Sequence, residues 1–469
     1  CIRDSGVFNL VAKGAGANPA LADLPDHDVN TIGSGTPGAG SITLLGADGL
    51  TIAGALTTAG GYVRLSSDSD LGGRGALTID TPINTNGGNL YLSFGTTSYA
   101  ESIATLNGDI TLGSGRLFFG DAMGSKGLGG STGEKRLAGL LSLSGDVNFN
   151  TPLTMLGGAS IYTDGAINFT STVNLDTGTD LLTLRANNVD FTQATLQNLS
   201  TASIRLEPYD ATTNILLNSS SGNAGGGIFL DGNAPATDIS KLVGIKNLTI
   251  GRADGTGTTT VDASGFSFNA NNNLSLLNGN IQVDGALSNS NVSGHVLAQA
   301  GVGDVVIGSG GTVTAQGSGD AVVLVAQRNF VNQAGANALA ATNGRWLTYS
   351  SSPSDDVRGG LDVAFKQYAA QYGDTVLGSG NGHLYTYAPK VKVELQGEVR
   401  KTYDGNAAAS VSDANFAMSG AIDGDTIDVL SFGNAYYADR NAGAGKQVTV
   451  DNVEAVSYTH LTLPTNREV

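Results

Sequence analysis

The chain is poor in most of the residues that staple, ligate or catalyse. Its 469 residues include one cysteine, one tryptophan, three methionines, four histidines and ten prolines. A single cysteine excludes a disulfide framework and a thiolate zinc cluster, and scarcity of cysteine fits an exported protein. No apolar run approaches ~18 residues, so nothing crosses a membrane as a helix. Charged residues make up 14%, against a typical ~25%. With 40% hydrophobic residues the chain is nevertheless too apolar for a solvated disordered polymer. Proline is scarce and glycine has no three-residue period, which excludes collagen. Lys+Arg is 24 against Asp+Glu 41, a net charge of −17; that balance argues against a nucleic-acid partner, which needs basic patches to neutralise phosphate. What is abundant is glycine, 68 residues, about twice the average share.

The two ends read differently from the rest. Cys1-Ile2-Arg3-Asp4-Ser5 and the stretch from Val456 to Thr465 resemble the two translated orientations of an adaptor used in DNA sequencing libraries. The expectation is that residues 1–5 and 456–469 are foreign, that the rest is an internal piece of a longer reading frame, and that the tail beyond Ala455 packs against nothing. Arg3 then cancels Asp4 and Arg467 cancels Glu468, so the acidic balance belongs to the residues between.

Those residues are repetitive. Leu50–Leu65 recurs 27 residues on as Leu77–Leu92, with matches at Leu50/Leu77, Ile52/Ile79, Leu56/Ile83, Val63/Leu90 and Leu65/Leu92, and with the glycine pairs Gly60-Gly61 and Gly87-Gly88 in step. A shorter period joins Val147-Asn148-Phe149, Ile167-Asn168-Phe169 and Val189-Asp190-Phe191, 20 and then 22 residues apart, with Leu153, Val173 and Thr195 following at one offset. Val147–Leu153 also copies Leu77–Ile83, Pro152 standing where Pro82 does. Within each unit apolar residues alternate with Thr, Asn, Ser or Asp, a period of two that denotes strands with one buried face. Gly, Asn and Asp supply turn chemistry between them. The best helical candidate is short, Val363–Tyr372.

Short alternating strands on a period of 20–27 residues predict an all-β fold, a right-handed parallel β-helix in which a single coil cannot bury its apolar face alone. Low charge fits, because like charges stacked at one strand spacing repel. Residues from about 30 to 345 amount to roughly 15 coils of ~21 residues, on the order of 70 Å at ~4.8 Å per coil. The alternative, an array of β-sandwiches, would repeat every ~80–100 residues instead.

Several segments then resemble the exoproteins of Gram-negative two-partner secretion, the filamentous-haemagglutinin-like group. They are Ile52–Leu65, Leu242–Gly251 leading into Thr258–Val261, Arg328–Ala336, and Gly344-Arg345-Trp346-Leu347-Thr348-Tyr349-Ser350, which carries the only tryptophan. A separate resemblance follows a boundary near Ala388-Pro389-Lys390. Lys401-Thr402-Tyr403-Asp404-Gly405-Asn406 is similar to the signature of a small β-rich, sandwich-like repeat named for its Tyr-Asp-Gly triplet, and Gly424-Asp425, Asp439–Gly443 and Lys446–Val450 fit its later positions. Asn406 departs from the Thr often found there. The reading divides the chain into residues 1–5 (foreign), 6–388 (coil stack, with an irregular cap near 345–388), 389–455 (the module, cut at its last strand) and 456–469 (foreign). The family-signature positions, structural in role, are Gly344, Arg345, Trp346, Tyr349, Lys401, Tyr403, Asp404, Gly405, Gly424, Asp425 and Gly443. Asp404-Gly405 suits a tight turn, Tyr403 an amphipathic ring for a small core, and Val391–Leu395 alternates as an edge strand would.

The resemblance implies secretion through an outer-membrane pore partner, recognised by an N-terminal region of which this stretch shows no copy, and display or release at the surface of a Gram-negative cell. It implies a stalk presenting binding surface to glycans or proteins of host or neighbouring cells. No catalytic residue, cofactor or metal is assigned. His27, His295 and His383 lack ligand-spaced partners, and His460 lies in the foreign tail. Asp26-His27-Asp28 reads better as a turn than a cation site, Asp254–Gly257 is one acidic loop rather than a calcium array, Ser264 has no nucleophile-elbow context, and Gly222–Gly227 precedes Ile-Phe instead of Lys-Ser/Thr, so it is no phosphate loop. Asp355-Asp356 near Arg358 is the one carboxylate pair with a basic neighbour, the pattern a β-helical carbohydrate-active enzyme would use; a solvated loop is the better reading. Trp346 with Tyr349 fits a core or cap anchor better than a sugar platform. A stalk carrying a C-terminal toxin is the remaining alternative.

Overall fold

Like stacks on like along most of this chain, and that rule builds the fold. The computed structural model describes residues 42–458 except 47–48, 69–74, 96–101, 120–132, 177, 179, 219–226 and 230–236, together with the strands Asn9–Leu10 and Asp28–Asn30. Each coil is three short strands, and each strand pairs in parallel with its equivalent in the next coil, giving a parallel β-helix with three walls. The first wall runs from Asp28–Asn30 through Gly49–Ile52 and Ala76–Ile79 to Thr195–Gln197. The second is continuous, twelve parallel strands from Leu56–Thr57 to Leu339–Ser350. The third comes in three sections, starting at Ile42–Leu45, Val147–Phe149 and Ile215–Asn218.

The long repeat maps onto this register position by position. Leu50 pairs with Leu77 and Ile52 with Ile79 in the first wall, Leu56 with Ile83 in the second, Val63 with Leu90 and Leu65 with Leu92 in the third. A third copy continues the pattern with Ala104, Leu106, Ile110 and Leu117 on the same rows. All of these side chains lie in one buried core, and each fully buried Leu or Ile contributes roughly 1.5–3 kcal/mol. The shorter repeat pairs equally well: Val147, Ile167 and Val189 share a row, and the rings of Phe149, Phe169 and Phe191 stack with centroids 5.4 and 5.1 Å apart. The paired glycines have a steric reason. A Cβ on Gly88 would lie 2.0 Å from the Gly61 carbonyl oxygen, and one on Gly115 equally close to that of Gly88, while Gly87 turns the chain at φ 103°.

Four expectations need correction. Among the described residues the second wall has twelve rungs, roughly 55 Å at strand spacing, fewer than the expected fifteen coils because two coils are long: Leu140 bonds back to Asp109 across 31 residues, and Asn247 to Ser203 across 44. Thr195 is not the third member of the Leu153, Val173 row; Leu196 pairs with Val173, since Thr192-Gln193 adds a residue to the preceding turn. Val147–Leu153 copies Leu77–Ile83 only locally, because Leu77 and Ile83 lie on the first and second walls whereas Val147 and Leu153 lie on the third and first. Val363–Tyr372 is not a helix. Phe365–Gln367 is a strand paired with Gly382–Tyr385, and Ala369 then turns at φ 50°; alternate burial on a sheet edge outweighs helix propensity here.

One polar intruder sits in an apolar row. Lys135 occupies the position between Ala104 and Leu153, 1% exposed. Its ammonium lies 4.7 Å from the Phe119 ring centroid and 5.3 Å from that of Phe94, and bonds Thr151. Ring faces offset part of the desolvation, and burial still pushes the amine down to about 8.

Beyond the stack, Lys392–Leu395 pairs antiparallel with Phe416–Ser419 alone, as an edge strand does. Phe416, Ala435 and Val450 centre a small separate core. The last strand, Glu454–Tyr458, pairs with Thr426–Ser431, matching Thr426 to Tyr458, Ile427 to Ser457 and Asp428 to Val456. Packing therefore does not stop at Ala455: the backbone of residues 456–458 completes a ladder.

Two stability predictions follow from these ladders. Gly88→Ala should cost about 1–3 kcal/mol in urea unfolding, because backbone rather than a movable side chain opposes the new methyl; an unchanged midpoint would contradict the stacking distance. Deleting residues from Val456 onward should lower the module's unfolding midpoint by several degrees, read by calorimetry.

Candidate functional site at the end of the coil stack

The signature residues gather where the coil stack ends. Gly344 is required by proximity: a Cβ there would lie 2.4 Å from the Gly319 carbonyl oxygen. This lets Leu339–Ser350 follow Thr312–Ala326 around a corner with two shifts of register. Arg345 then ties the last rung down, its Nε donating to Asp320 Oδ1 at 2.6 Å and its guanidinium to the Gly378 carbonyl at 2.6 Å. Trp346 is 4% exposed and closes the apolar interior, with its backbone N–H on Asn381 Oδ1 at 3.0 Å. Tyr349 faces the other side of the sheet, in a second small cluster with Val323, Leu347, Phe365, Ala370 and Leu384. Burial pushes its hydroxyl up to about 12. Neither ring face is available as a sugar platform.

The interior row of the second wall changes character at this end. It runs Leu276, Ala298, Leu324, Thr348, His383, Lys366 across successive strands. The Thr348 hydroxyl meets His383 Nδ1 at 2.5 Å. His383 Nε2 and the Tyr385 hydroxyl are buried without a protein partner, and Tyr368 stacks on Tyr385 at 5.5 Å. Burial, then the charge of Arg358, drops His383 to about 3, so it is neutral. Asp356 accepts the Phe330 N–H at 2.8 Å and the Ser350 hydroxyl at 2.7 Å; burial nevertheless lifts its carboxyl to about 6.

The row ends on the module. Asp423 (φ 55°) and Gly424 (φ 75°) make a left-handed turn that aims two carboxylates at the cap. Arg358 holds both oxygens of Asp423. Lys366 Nζ reaches Asp423 at 2.7 Å and Asp425 at 3.0 Å, and the Tyr368 hydroxyl donates to Asp425 Oδ2 at 2.8 Å. Burial alone would raise Asp423, but Arg358 and Lys366 outweigh it and hold the carboxyl below its usual range. The clasp gives Asp425 a role in docking, and it recruits Asp423, Lys366, Arg358 and Tyr368, which sequence reasoning did not single out as partners. Arg358 was legible only as a neighbour of Asp355-Asp356, and it serves Asp423 instead.

The Tyr-Asp-Gly turn is a self-contained knot. Asp404 accepts the Asn406 N–H at 3.1 Å, its side-chain amide at 2.9 Å and Lys401 Nζ at 2.8 Å, with Gly405 at φ 80°. The hydrogen bond from Lys401 holds Asp404 below the usual carboxylate range. Lys401 also caps the Asn406 carbonyl at 2.8 Å. Tyr403 is not a core ring: it is 65% exposed, while Tyr437 reaches inward to the Val399 carbonyl at 3.0 Å. Gly443 lies against Lys446, which pairs with Asp439.

Other candidates resolve plainly. Asp254 pairs with Arg252 at 2.7 Å, which holds it at about 2. Asp262 Oδ1 closes its own turn by accepting the Ser264 N–H at 2.9 Å, and His295 Nε2 meets the Ser318 carbonyl at 2.9 Å. Asp26, His27, His460 and all of Gly222–Gly227 but the last glycine lie outside the described residues. Among the described residues no three His, Cys, Asp or Glu converge as metal ligands would.

Residues 388–460 match the family profile described as the YDG domain. That span includes the paired strand Glu454–Tyr458 as well as the Tyr403-Asp404-Gly405 turn and Asp425. Comparison with curated proteins and with solved structures gave no match.

The cap should show compensating proton linkage. Between about pH 4.5 and 6 the unfolded chain binds a proton at His383 that the fold refuses, so that stability is lost as pH falls below ~6.5. Over the same range the fold retains a proton on Asp356 that the unfolded chain releases, so that stability is lost as pH rises through about 6. Arg358 and Asp423, which face His383, are held in their charged forms by each other. The two slopes cancel, and the urea midpoint read from Trp346, the sole tryptophan, should stay nearly flat. Asp356→Asn should make it fall with acid, by up to ~1.4 kcal/mol per pH unit, and His383→Gln should make it rise. Parallel profiles for all three proteins would refute the assignment.

Proposed function

We propose that this chain is part of a secreted or surface-displayed, non-enzymatic adhesin-like exoprotein. The coil stack serves as a stiff stalk and the YDG module as a unit held at its end. The observation that carries the reading is the clasp of Arg358, Lys366 and Tyr368 on Asp423 and Asp425, which ties the module to the last rung instead of leaving it on a free linker. A stalk transmits position only if its joints are fixed, and a partly buried, bidentate ion cluster fixes orientation better than it adds net stability. Stacked strands satisfy the backbone internally, so coil can follow coil without disulfides. Delivery through an outer-membrane pore partner agrees with the resemblance of the coil segments to two-partner-secretion exoproteins.

Beads coated with the chain should attach to cultured epithelial or neighbouring bacterial cells, and soluble chain should compete them off. Absence of attachment to any cell type, or turnover of polysaccharide by the purified chain, would replace the adhesive reading. Removing the adjacent pore gene from the native host should abolish surface exposure of the protein, measured by protease shaving.

A further inference from the structure

The third wall is interrupted twice between coils that stay paired on the other two walls, first between Phe119 and Val147. Leu117–Phe119 ends one section and Val147–Phe149 begins the next, and the two strands belong to separate sheets even though Phe119 and Phe149 lie 6.0 Å apart inside. On the outside the interruption opens a groove of about 510 Å³, within the range of small-molecule sites. We propose that this groove binds a neutral pyranose glycan.

Its floor is aromatic. Arg64, Tyr91 and Phe118 share one outward row, and Phe118 stacks on Tyr91 with centroids 5.0 Å apart and planes 11° from parallel. Tyr62 meets Tyr91 edge-on at 6.0 Å. Phe118 is the last ring of this ladder. Its lower face is covered by Tyr91, and it lines the groove with no further ring partner among the described residues. Beyond the groove the outward row resumes as amides and acid, Asn148, Asn168 and Asp190. The groove is thus the place where an aromatic ladder hands over to an amide ladder.

Its walls carry polar groups that the fold leaves unused. Asn148 Oδ1 accepts from Asn168, but Asn148 Nδ2 has no partner among the described residues. Asp146 Oδ1 accepts the Ala166 N–H at 2.8 Å, and Oδ2 has no partner among the described residues. The Asn150 amide and the Arg116 guanidinium make no side-chain hydrogen bond among the described residues, and all four line the groove. The adjacent turn shows the ordinary state of affairs: Asp164 takes the Ser144 hydroxyl at 2.8 Å and the Gly145 N–H at 2.6 Å. An apolar ring face beside two free amide donors, a free carboxylate oxygen and a guanidinium matches a pyranose, whose C–H face is apolar and whose adjacent hydroxyls both donate and accept. Arg116 and Asp146 offset each other, so the groove favours an uncharged sugar over a uronate or an aminosugar cation.

This proposal rests on the adhesive reading and names its ligand class. The test is saturation-transfer NMR of the whole chain with tetrasaccharides of glucose, galactose and mannose, beside an oligogalacturonate. At least one neutral series should bind, and Phe118→Ala should weaken it about tenfold, the upper end of a ring-stacking contribution. Asn150→Ala, at an exposed position, should weaken binding several-fold with an unchanged melting temperature. No transfer from any neutral sugar, preference for the oligogalacturonate, or neutral binding that survives both substitutions would overturn the site. Cell attachment separates the two claims. Coated beads that attach equally with wild-type and both variants would sink the groove and leave the adhesive reading intact. Sugar binding by a chain that attaches to no cell would do the reverse.

Discussion

In-register parallel pairing governs everything else in this molecule. Once a strand must lie on its equivalent one strand spacing away, each side chain meets the side chain at the same position of the next coil. Leucine on leucine is favourable, and so are phenylalanine on phenylalanine, as in Phe149, Phe169 and Phe191, and amide on amide, as in Asn168 on Asn148 or Asn291 on Asn269 and Asn271. Charge on like charge is not. The low charge content, the wealth of Asn and Thr, and the glycines at the corners are one constraint seen three ways. Gly61, Gly88 and Gly115 carry it furthest, since their backbones approach until no Cβ fits between them.

A stack built on that rule has an end problem. An apolar row that simply stopped would expose its last rung. Here the row passes from Leu324 to Thr348, His383 and Lys366, each step more polar, until Lys366 meets carboxylates from the following module. The side chains of Lys366 and Asp425 are 11% and 2% exposed, so their pairing is desolvated, and the cost of stripping water from both charges consumes much of the attraction. What such a cluster secures is geometry. A misdocked module would leave buried charges unpaired, a penalty of several kcal/mol, and so one orientation is selected.

Residues related by local repetition were legible in the sequence; residues related only by the fold were not. Leu50–Leu65 and Leu77–Leu92 announce their pairing because every interior position is conserved in kind between the two coils. The third copy is hidden by Ala104 standing in for leucine, and Lys135 breaks the same row where ring faces of Phe94 and Phe119 replace an aliphatic neighbour. Thr195 misled because a fixed offset assumes turns of equal length, which the coil before Leu196 does not keep. The clasp had no local signal at all. Lys366 and Asp425 are 59 residues apart and Arg358 and Asp423 are 65, and Phe365–Gln367 resembles a helix more than the edge strand it forms. Tyr403 shows the limit of reading a triplet: the Asp-Gly turn was evident, but Lys401 and Asn406 satisfy Asp404 within the turn itself, and the ring that reaches a backbone carbonyl is Tyr437, which the triplet does not indicate.

The same rule decides where binding chemistry can reside on such a protein. A well-paired ladder consumes its own polar groups, since each amide or carboxylate finds its counterpart one coil away, and a perfect rod is therefore chemically reticent. Free donors and acceptors survive where equivalents fail to align: at a corner, at an end, or where one section of wall gives way to another. The end is spent on holding the YDG module. The corner at Gly319 and Gly344 is spent on Arg345 and Asp320. The hand-over between Phe118 and Asn148 is not spent, because rings cannot hydrogen-bond to amides and the two ladders have nothing to exchange. A mismatch between neighbouring coils that costs the fold a few hydrogen bonds leaves the molecule a surface able to recognise something other than itself.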